Sequence, residues 1–154
     1  MKKIIIAVIL ALTGVPASFA ADTWGKLSLF DKAAYPQADS VRGIELGLIY
    51  SNTRNLTGIQ WTFVFSRTSS LEGLQMGLAT SSDKASGIQW GALNMTKDMK
   101  GAQVGFVNYA EKFSGLQFGL VNYAAAMGKG LQLGLVNVIR NSTLPVMVIA
   151  NGRF

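Results

Sequence analysis

The chain of 154 residues repeats one short unit from residue 43 onward. Seven copies follow at intervals of 14 or 15 residues: GIELGLIY, GIQWTFVF, GLQMGLAT, GIQWGALN, GAQVGFVN, GLQFGLVN and GLQLGLVN. They begin at Gly43, Gly58, Gly73, Gly87, Gly101, Gly115 and Gly130. So short a repeat constrains the architecture strongly, because every copy must find an equivalent place in the fold.

Within a unit, apolar residues alternate with Gly and Gln. In the sixth copy Leu116, Phe118 and Leu120 would point one way, and Gln117 and Gly119 the other. This period of two is typical of a strand whose two faces differ. A helix would carry these glycines at interior positions, at a cost of about 1 kcal/mol each. The sequence therefore predicts an all-β fold.

Charged pairs separate the units, at Asp83-Lys84, Lys97-Asp98 and Glu111-Lys112. Two-residue connections are typical of antiparallel hairpins, and residues 144–154 would supply a last strand. This predicts an antiparallel up-and-down meander of about eight strands. Eight is also the strand number of the smallest common membrane barrel. An open meander would expose two edges, so we expect closure as a small barrel with Gly and Gln inside and the Leu and Trp face toward lipid.

The alternative is a β-solenoid in which each unit is one coil of a parallel stack. Coils in register would align side chains into ladders. One ladder would contain Gln60, Gln75, Gln89, Gln103, Gln117 and Gln132, and a second Asn94, Asn108, Asn122 and Asn137. Against the solenoid, the last six residues of each unit are mostly polar and offer little material for a second buried wall. A soluble curved sheet is a third alternative.

The first 20 residues have the order of a secretory signal peptide: Lys2 and Lys3, an apolar run over 4–12, and small residues at Ser18 and Ala20. We expect export and a mature chain that starts at Ala21. Residues 21–40 form an N-terminal segment with a short strand over 27–30, and residues 41–154 form the repeat domain.

Composition excludes most enzyme chemistry. The chain has no Cys and no His, so it lacks thiolate ligands, Cys nucleophiles and the commonest general base. Removal of Lys2 and Lys3 lowers the net charge from +6 to +4, and the remaining basic residues do not cluster as nucleic-acid binding requires. We therefore expect a non-enzyme with no catalytic residue, no cofactor, no metal site, no nucleic-acid partner and no identifiable small-molecule ligand.

Several positions are expected to be structural. They include the six glutamines above and the second glycine of four units, at Gly91, Gly105, Gly119 and Gly134. Two units depart from the pattern, with Thr62 in place of Gly and Ala79-Thr80 in place of Val-Asn. Glu45 replaces Gln in the first unit, and it would either pair with a cation inside the barrel such as Arg42 or lie on the exposed first strand.

The chain ends in an apolar, alternating segment whose last residue is Phe154. Outer-membrane barrels present their last strand for assembly in this form, so Phe154 is a predicted assembly residue. The alternative is that Phe154 packs against Leu27 or Leu29.

The units GLQFGLVNYA and GLQLGLVNV, the segment LSLF followed by VRGIELGLIY, and the terminal Phe together resemble the uncharacterised bacterial GLQxGLVN surface-repeat family. The resemblance implies an envelope or surface location and carries over no catalytic residue. We expect an exported structural or surface protein of the outer membrane, with outer-membrane lipid and its assembly machinery as partners. The alternative is a surface or periplasmic solenoid that acts in adhesion or binding.

Overall fold

The computed structural model describes residues 20–30 and 33–154, which form ten β-strands in one sheet. The strands are β1 (Ala20–Phe30), β2 (Ala33–Tyr35), β3 (Ala38–Gly47), β4 (Tyr50–Thr62), β5 (Phe65–Met76), β6 (Ala79–Trp90), β7 (Leu93–Val104), β8 (Val107–Phe118), β9 (Val121–Ile139) and β10 (Val146–Arg153). No helix that could span a membrane occurs in the described ranges. The all-β prediction is confirmed.

Strands β3 to β9 run parallel to one another, each paired with the next strand along the chain. Equivalent residues of successive units lie opposite each other, as Gly58 lies opposite Gly73 and Gly101 opposite Gly115. Each repeat is therefore one coil of a β-solenoid. The predicted antiparallel meander and its closure as a barrel are wrong, and the alternative solenoid is confirmed.

The charged pairs predicted as hairpin turns lie inside strands. Asp83-Lys84 is in β6, where Ser82 pairs with Thr96 and Lys84 pairs with Asp98. Asp83 has no paired residue in the backbone register with β7, and the equivalent residues of the next coils are skipped in the same way. These charged residues face outward on a coil, where they stay in contact with water. A parallel stack gives each unit the same surroundings.

The interior has one wall of apolar side chains, most of them large, and other walls of small or polar side chains. The apolar wall is a column of aligned, buried residues: Val41, Leu56, Leu71, Ala85, Met99, Phe113 and Met127. A second column is small: Thr53, Thr68, Ser82, Thr96, Ala110 and Ala124. Alternate residues of the polar last part of each unit are therefore buried and form a wall, which the sequence alone did not predict.

The N-terminal segment belongs to the same stack. β1, which includes residues 27–30, pairs in parallel with β3, and β2 pairs antiparallel with β1. Ala20 is the first residue of β1, while the rest of the predicted signal peptide lies outside the described residues.

The C-terminal strand β10 pairs antiparallel with β9 and covers the last coil. Phe154 follows β10 and is 94% exposed. It lies at the other end of the sheet from β1, so the alternative contact with Leu27 or Leu29 is wrong. Since a solenoid has no barrel to close, the predicted assembly role of Phe154 loses its structural basis.

Candidate functional site

The six repeat glutamines are fully buried and form one continuous ladder of side-chain amides. Each Nε2 donates to the Oε1 of the glutamine in the preceding coil, at 2.6 to 2.9 Å: Gln75 to Gln60, Gln89 to Gln75, Gln103 to Gln89, Gln117 to Gln103 and Gln132 to Gln117. All amides therefore point in the same direction along the solenoid axis. This is the Gln ladder.

The Gln ladder starts at a buried ion pair. Gln60 Nε2 donates to Glu45 Oε2 at 2.8 Å, and Lys26 Nζ lies 3.4 Å from Glu45 Oε1. Lys26 also donates to Thr53 Oγ1 at 2.9 Å and to the carbonyl of Asn52 at 2.7 Å. The amide N–H groups of the ladder point toward the Glu45 carboxylate, so their aligned dipoles stabilise its negative charge.

The predicted partner of Glu45 is wrong. Arg42 is exposed and lies 3.6 Å from Asp22 at the surface. Sequence reasoning missed Lys26, although KLSLF matches ELGLI of the first unit, and β1 aligns Lys26 with Glu45. This sequence match was the signal that could have identified Lys26 as the partner of Glu45.

A second ladder of buried asparagines runs beside the first in the opposite direction. Asn94 Nδ2 donates to Asn108, Asn108 to Asn122 and Asn122 to Asn137, each at 2.8 Å. Thr80 Oγ1 donates to Asn94 Oδ1 at 2.7 Å. Thr80, one of the departures from the repeat, therefore begins the Asn ladder.

The second glycine of each unit leaves room for the Asn ladder. A Cβ on Gly105 would lie 1.9 Å from the carbonyl oxygen of Gly91 and 2.6 Å from Asn94 Nδ2. Thr62 replaces this glycine in the second unit, where Ser51 and Ser66 take the place of asparagines in the neighbouring column. Thr62 Oγ1 lies 2.9 Å from Ser51 Oγ, so smaller neighbours accommodate the larger side chain.

These buried ladders have a structural role. The amides are closed to solvent and bonded mostly to one another, so they present no surface to a ligand. In the described part of the chain, no group of three His, Cys, Asp or Glu residues could hold a metal ion. Any ligand or partner must therefore meet the outer surface.

One outer surface, the apolar side, is formed entirely by apolar residues in three columns. The columns are Ile44, Ile59, Leu74, Ile88, Ala102, Leu116 and Leu131; Leu46, Trp61, Met76, Trp90, Val104, Phe118 and Leu133; and Leu48, Phe63, Leu78, Ala92, Phe106, Leu120 and Leu135. Trp90 is 57% exposed and Phe118 56%. With strands spaced at about 4.8 Å, seven coils give the apolar side a length of roughly 29 Å.

A second outer surface, the charged side, carries charged residues of successive coils. It includes the aligned residues Lys84, Asp98 and Lys112 and the unpaired strand positions Asp83, Lys97 and Glu111. Lys97 Nζ donates to Asp83 Oδ1 at 2.7 Å, and this bond raises the pKa of Lys97 above its ordinary value. The solenoid is therefore amphipathic around its axis.

No protein family, curated protein or solved structure matches the chain. The resemblance to the GLQxGLVN repeat family stays a prediction.

Proposed function

We propose that the protein is an exported, non-enzymatic envelope protein that acts as a binding module, with the apolar side as its binding surface and outer-membrane lipid as its partner. The observation that carries this proposal is the apolar side itself, which is free of charge over seven coils. Soluble monomers rarely leave so large an apolar patch in water unless it binds something.

The chemistry of the apolar side suits lipid. Its backbone groups are bonded between coils, so lipid does not have to supply hydrogen-bond partners. The glycines beside the first apolar column include four that directly follow Arg42, Glu72, Lys100 and Lys129, so this border carries three cations and one carboxylate, while the charged side is separate. An apolar surface bordered by cations is typical of proteins that lie on a membrane with anionic headgroups. Because a solenoid has no seam to close, barrel assembly machinery is not included among the partners.

We expect Phe118→Glu to weaken binding to lipid vesicles at least about tenfold, because it removes an aromatic contact and adds a charge to the apolar side. Binding is measured by flotation of the purified mature protein with vesicles of phosphatidylglycerol and phosphatidylethanolamine. The control is Asn55→Glu, which adds the same charge at an exposed position aligned with Ser70 and Lys84 on the charged side, and should change binding less than twofold.

Two results would contradict the proposal. One is wild-type protein that does not float with vesicles. The other is equal flotation of Phe118→Glu and Asn55→Glu, because the apolar side would then not be the surface that binds lipid.

A further inference from the structure

We infer that a groove within the apolar side holds a single acyl chain of a lipid molecule. This inference rests on the proposed function and names the part of the lipid that is recognised. The groove runs along the solenoid axis between the second and third apolar columns, with a volume of about 690 Å³. Trp90, Val104, Phe118 and Leu133 form one wall, and Ala92, Phe106, Leu120 and Leu135 form the other.

The floor of the groove is bare backbone. Gly91, Gly105, Gly119 and Gly134 form the floor, and a Cβ at these positions would point into the solenoid toward backbone and asparagine atoms. The chain bends at Gly91, Gly105 and Gly119, while Gly134 lies within β9, and the apolar residues before and after each glycine form the two walls. The glycines that accommodate the Asn ladder inside therefore also leave a groove outside.

The floor has its hydrogen bonds satisfied. The N–H groups of Gly91 and Gly105 donate to the carbonyls of Val104 and Phe118, at 3.1 and 3.0 Å. Asn94 Nδ2 donates to the carbonyl oxygen of Gly91 at 3.2 Å. A peptide in this groove would bury its own amide groups without partners, which is unfavourable. A hydrocarbon chain has no such groups, so the groove favours an acyl chain over a peptide.

The length of the groove also suits an acyl chain. A shorter apolar depression, floored by Thr62 and Gly77, continues the groove past Trp90. From Gly77 to Gly134 the floor covers five coils, or roughly 19 Å at about 4.8 Å per coil. Each leaflet contributes about half of the ~30 Å hydrocarbon core of a bilayer, so the groove can hold one chain nearly extended.

Ile149 lies at the C-terminal end of the groove. It pairs with Gly134, lines the groove and has φ of 70°. A β-branched residue rarely adopts this left-handed conformation, because the side chain is crowded by its own backbone. The strained backbone coincides with an irregularity in the pairing of β10 and places an apolar side chain at the end of the groove. Strain of this kind tends to occur at binding sites.

The test uses palmitoyl lysophosphatidylcholine below its micellar concentration as the probe, with the purified mature protein. Native mass spectrometry gives the stoichiometry and titration calorimetry the affinity. Ala92 is the one small residue of its wall, so Ala92→Trp should fill the groove and weaken binding at least tenfold. The control, Ala102→Trp, adds the same side chain to the first apolar column, outside the groove, and should change affinity less than twofold.

We expect one probe molecule per wild-type chain. Equal affinity of the two variants, or unsaturable binding of several molecules, would overturn the inference, because the probe would then coat the whole apolar side. A wild-type dimer that excludes the probe would also overturn it, since a second copy would then be the occupant.

Failure of the inference can be told apart from failure of the proposed function. Ala92→Trp should still float with vesicles, because the rest of the apolar side is unchanged. Flotation of the wild type without single-chain binding would overturn only the groove. Single-chain binding without flotation would support the groove and contradict docking on a lipid surface.

Discussion

Gly101→Ala is expected to unfold the solenoid or to lower its free energy of unfolding by at least about 4 kcal/mol, which is exceptional for one methyl group. Gly101 has φ of 129°, a conformation that disfavours any residue with a side chain. The added Cβ would lie 2.0 Å from the carbonyl oxygen of Gly87 in the preceding coil. That carbonyl belongs to the stacked backbone and cannot move without breaking the ladder on both sides. Urea denaturation followed by circular dichroism measures the change.

Gly25→Ala is the matched control. A Cβ at Gly25 would lie 3.7 Å from the carbonyl oxygen of Ile44, which is an ordinary contact. We expect this variant to change the free energy of unfolding by less than about 1 kcal/mol. If Gly101→Ala proved as stable as Gly25→Ala, the close approach of aligned glycines in successive coils would be wrong.

Lys26→Met is expected to lower the free energy of unfolding by about 3 to 5 kcal/mol, because it leaves the Glu45 carboxylate buried without its counter-ion. Lys26 and Glu45 have side chains that are 4% and 0% exposed, so water cannot replace the lost charge. Thr53, Ser51 and Gln60 still donate to the carboxylate but carry no charge. Thermal and urea unfolding at constant ionic strength measure the loss.

The double variant Lys26→Met with Glu45→Gln separates charge from packing. The introduced amide can accept the hydrogen bond of Gln60 and continue the Gln ladder by one step, with no charge left to compensate. We expect it to recover at least half of the stability that Lys26→Met loses. Equal destabilisation of the single and double variants would mean that the loss comes from packing around Lys26.

Alternation within the repeat predicts which residues lie on each face but not the direction of the neighbouring strand. Gln117 lies inside and Phe118 outside in a solenoid, and the same alternation would occur in an antiparallel barrel. The direction of the neighbouring strand depends on whether the last part of each unit can form a buried wall of the coil. Asn122 and Ala124 are buried there beside Met127, because side-chain ladders satisfy the asparagine amides.

The ion pair shows where reasoning from local sequence was insufficient. Arg42 precedes Glu45 by three residues. In a strand an odd separation places two side chains on opposite faces, so Arg42 cannot face Glu45. Lys26 lies 19 residues earlier and meets Glu45 only because β1 stacks in parallel on β3. The groove could not be predicted for a similar reason, since it depends on bends at successive coils.

The parallel stack itself is tested most directly by a disulfide between Lys84→Cys and Asp98→Cys. The native chain has no cysteine, so no native thiol competes with the introduced pair. Lys84 and Asp98 lie opposite each other in adjacent strands, and a spacing of about 4.8 Å falls within the range that a disulfide spans. In an antiparallel meander these positions would occupy opposite ends of one strand, roughly 40 Å apart.

We expect the oxidised double variant to form an intramolecular disulfide in monomeric protein, detected by mass spectrometry of proteolytic peptides. The control pair Lys84→Cys and Lys112→Cys is two coils apart, or roughly 10 Å, which is too far for a bridge. A bridge between positions 84 and 98 alone is the result that the solenoid predicts. Free thiols at both positions in folded, oxidised monomer would contradict it.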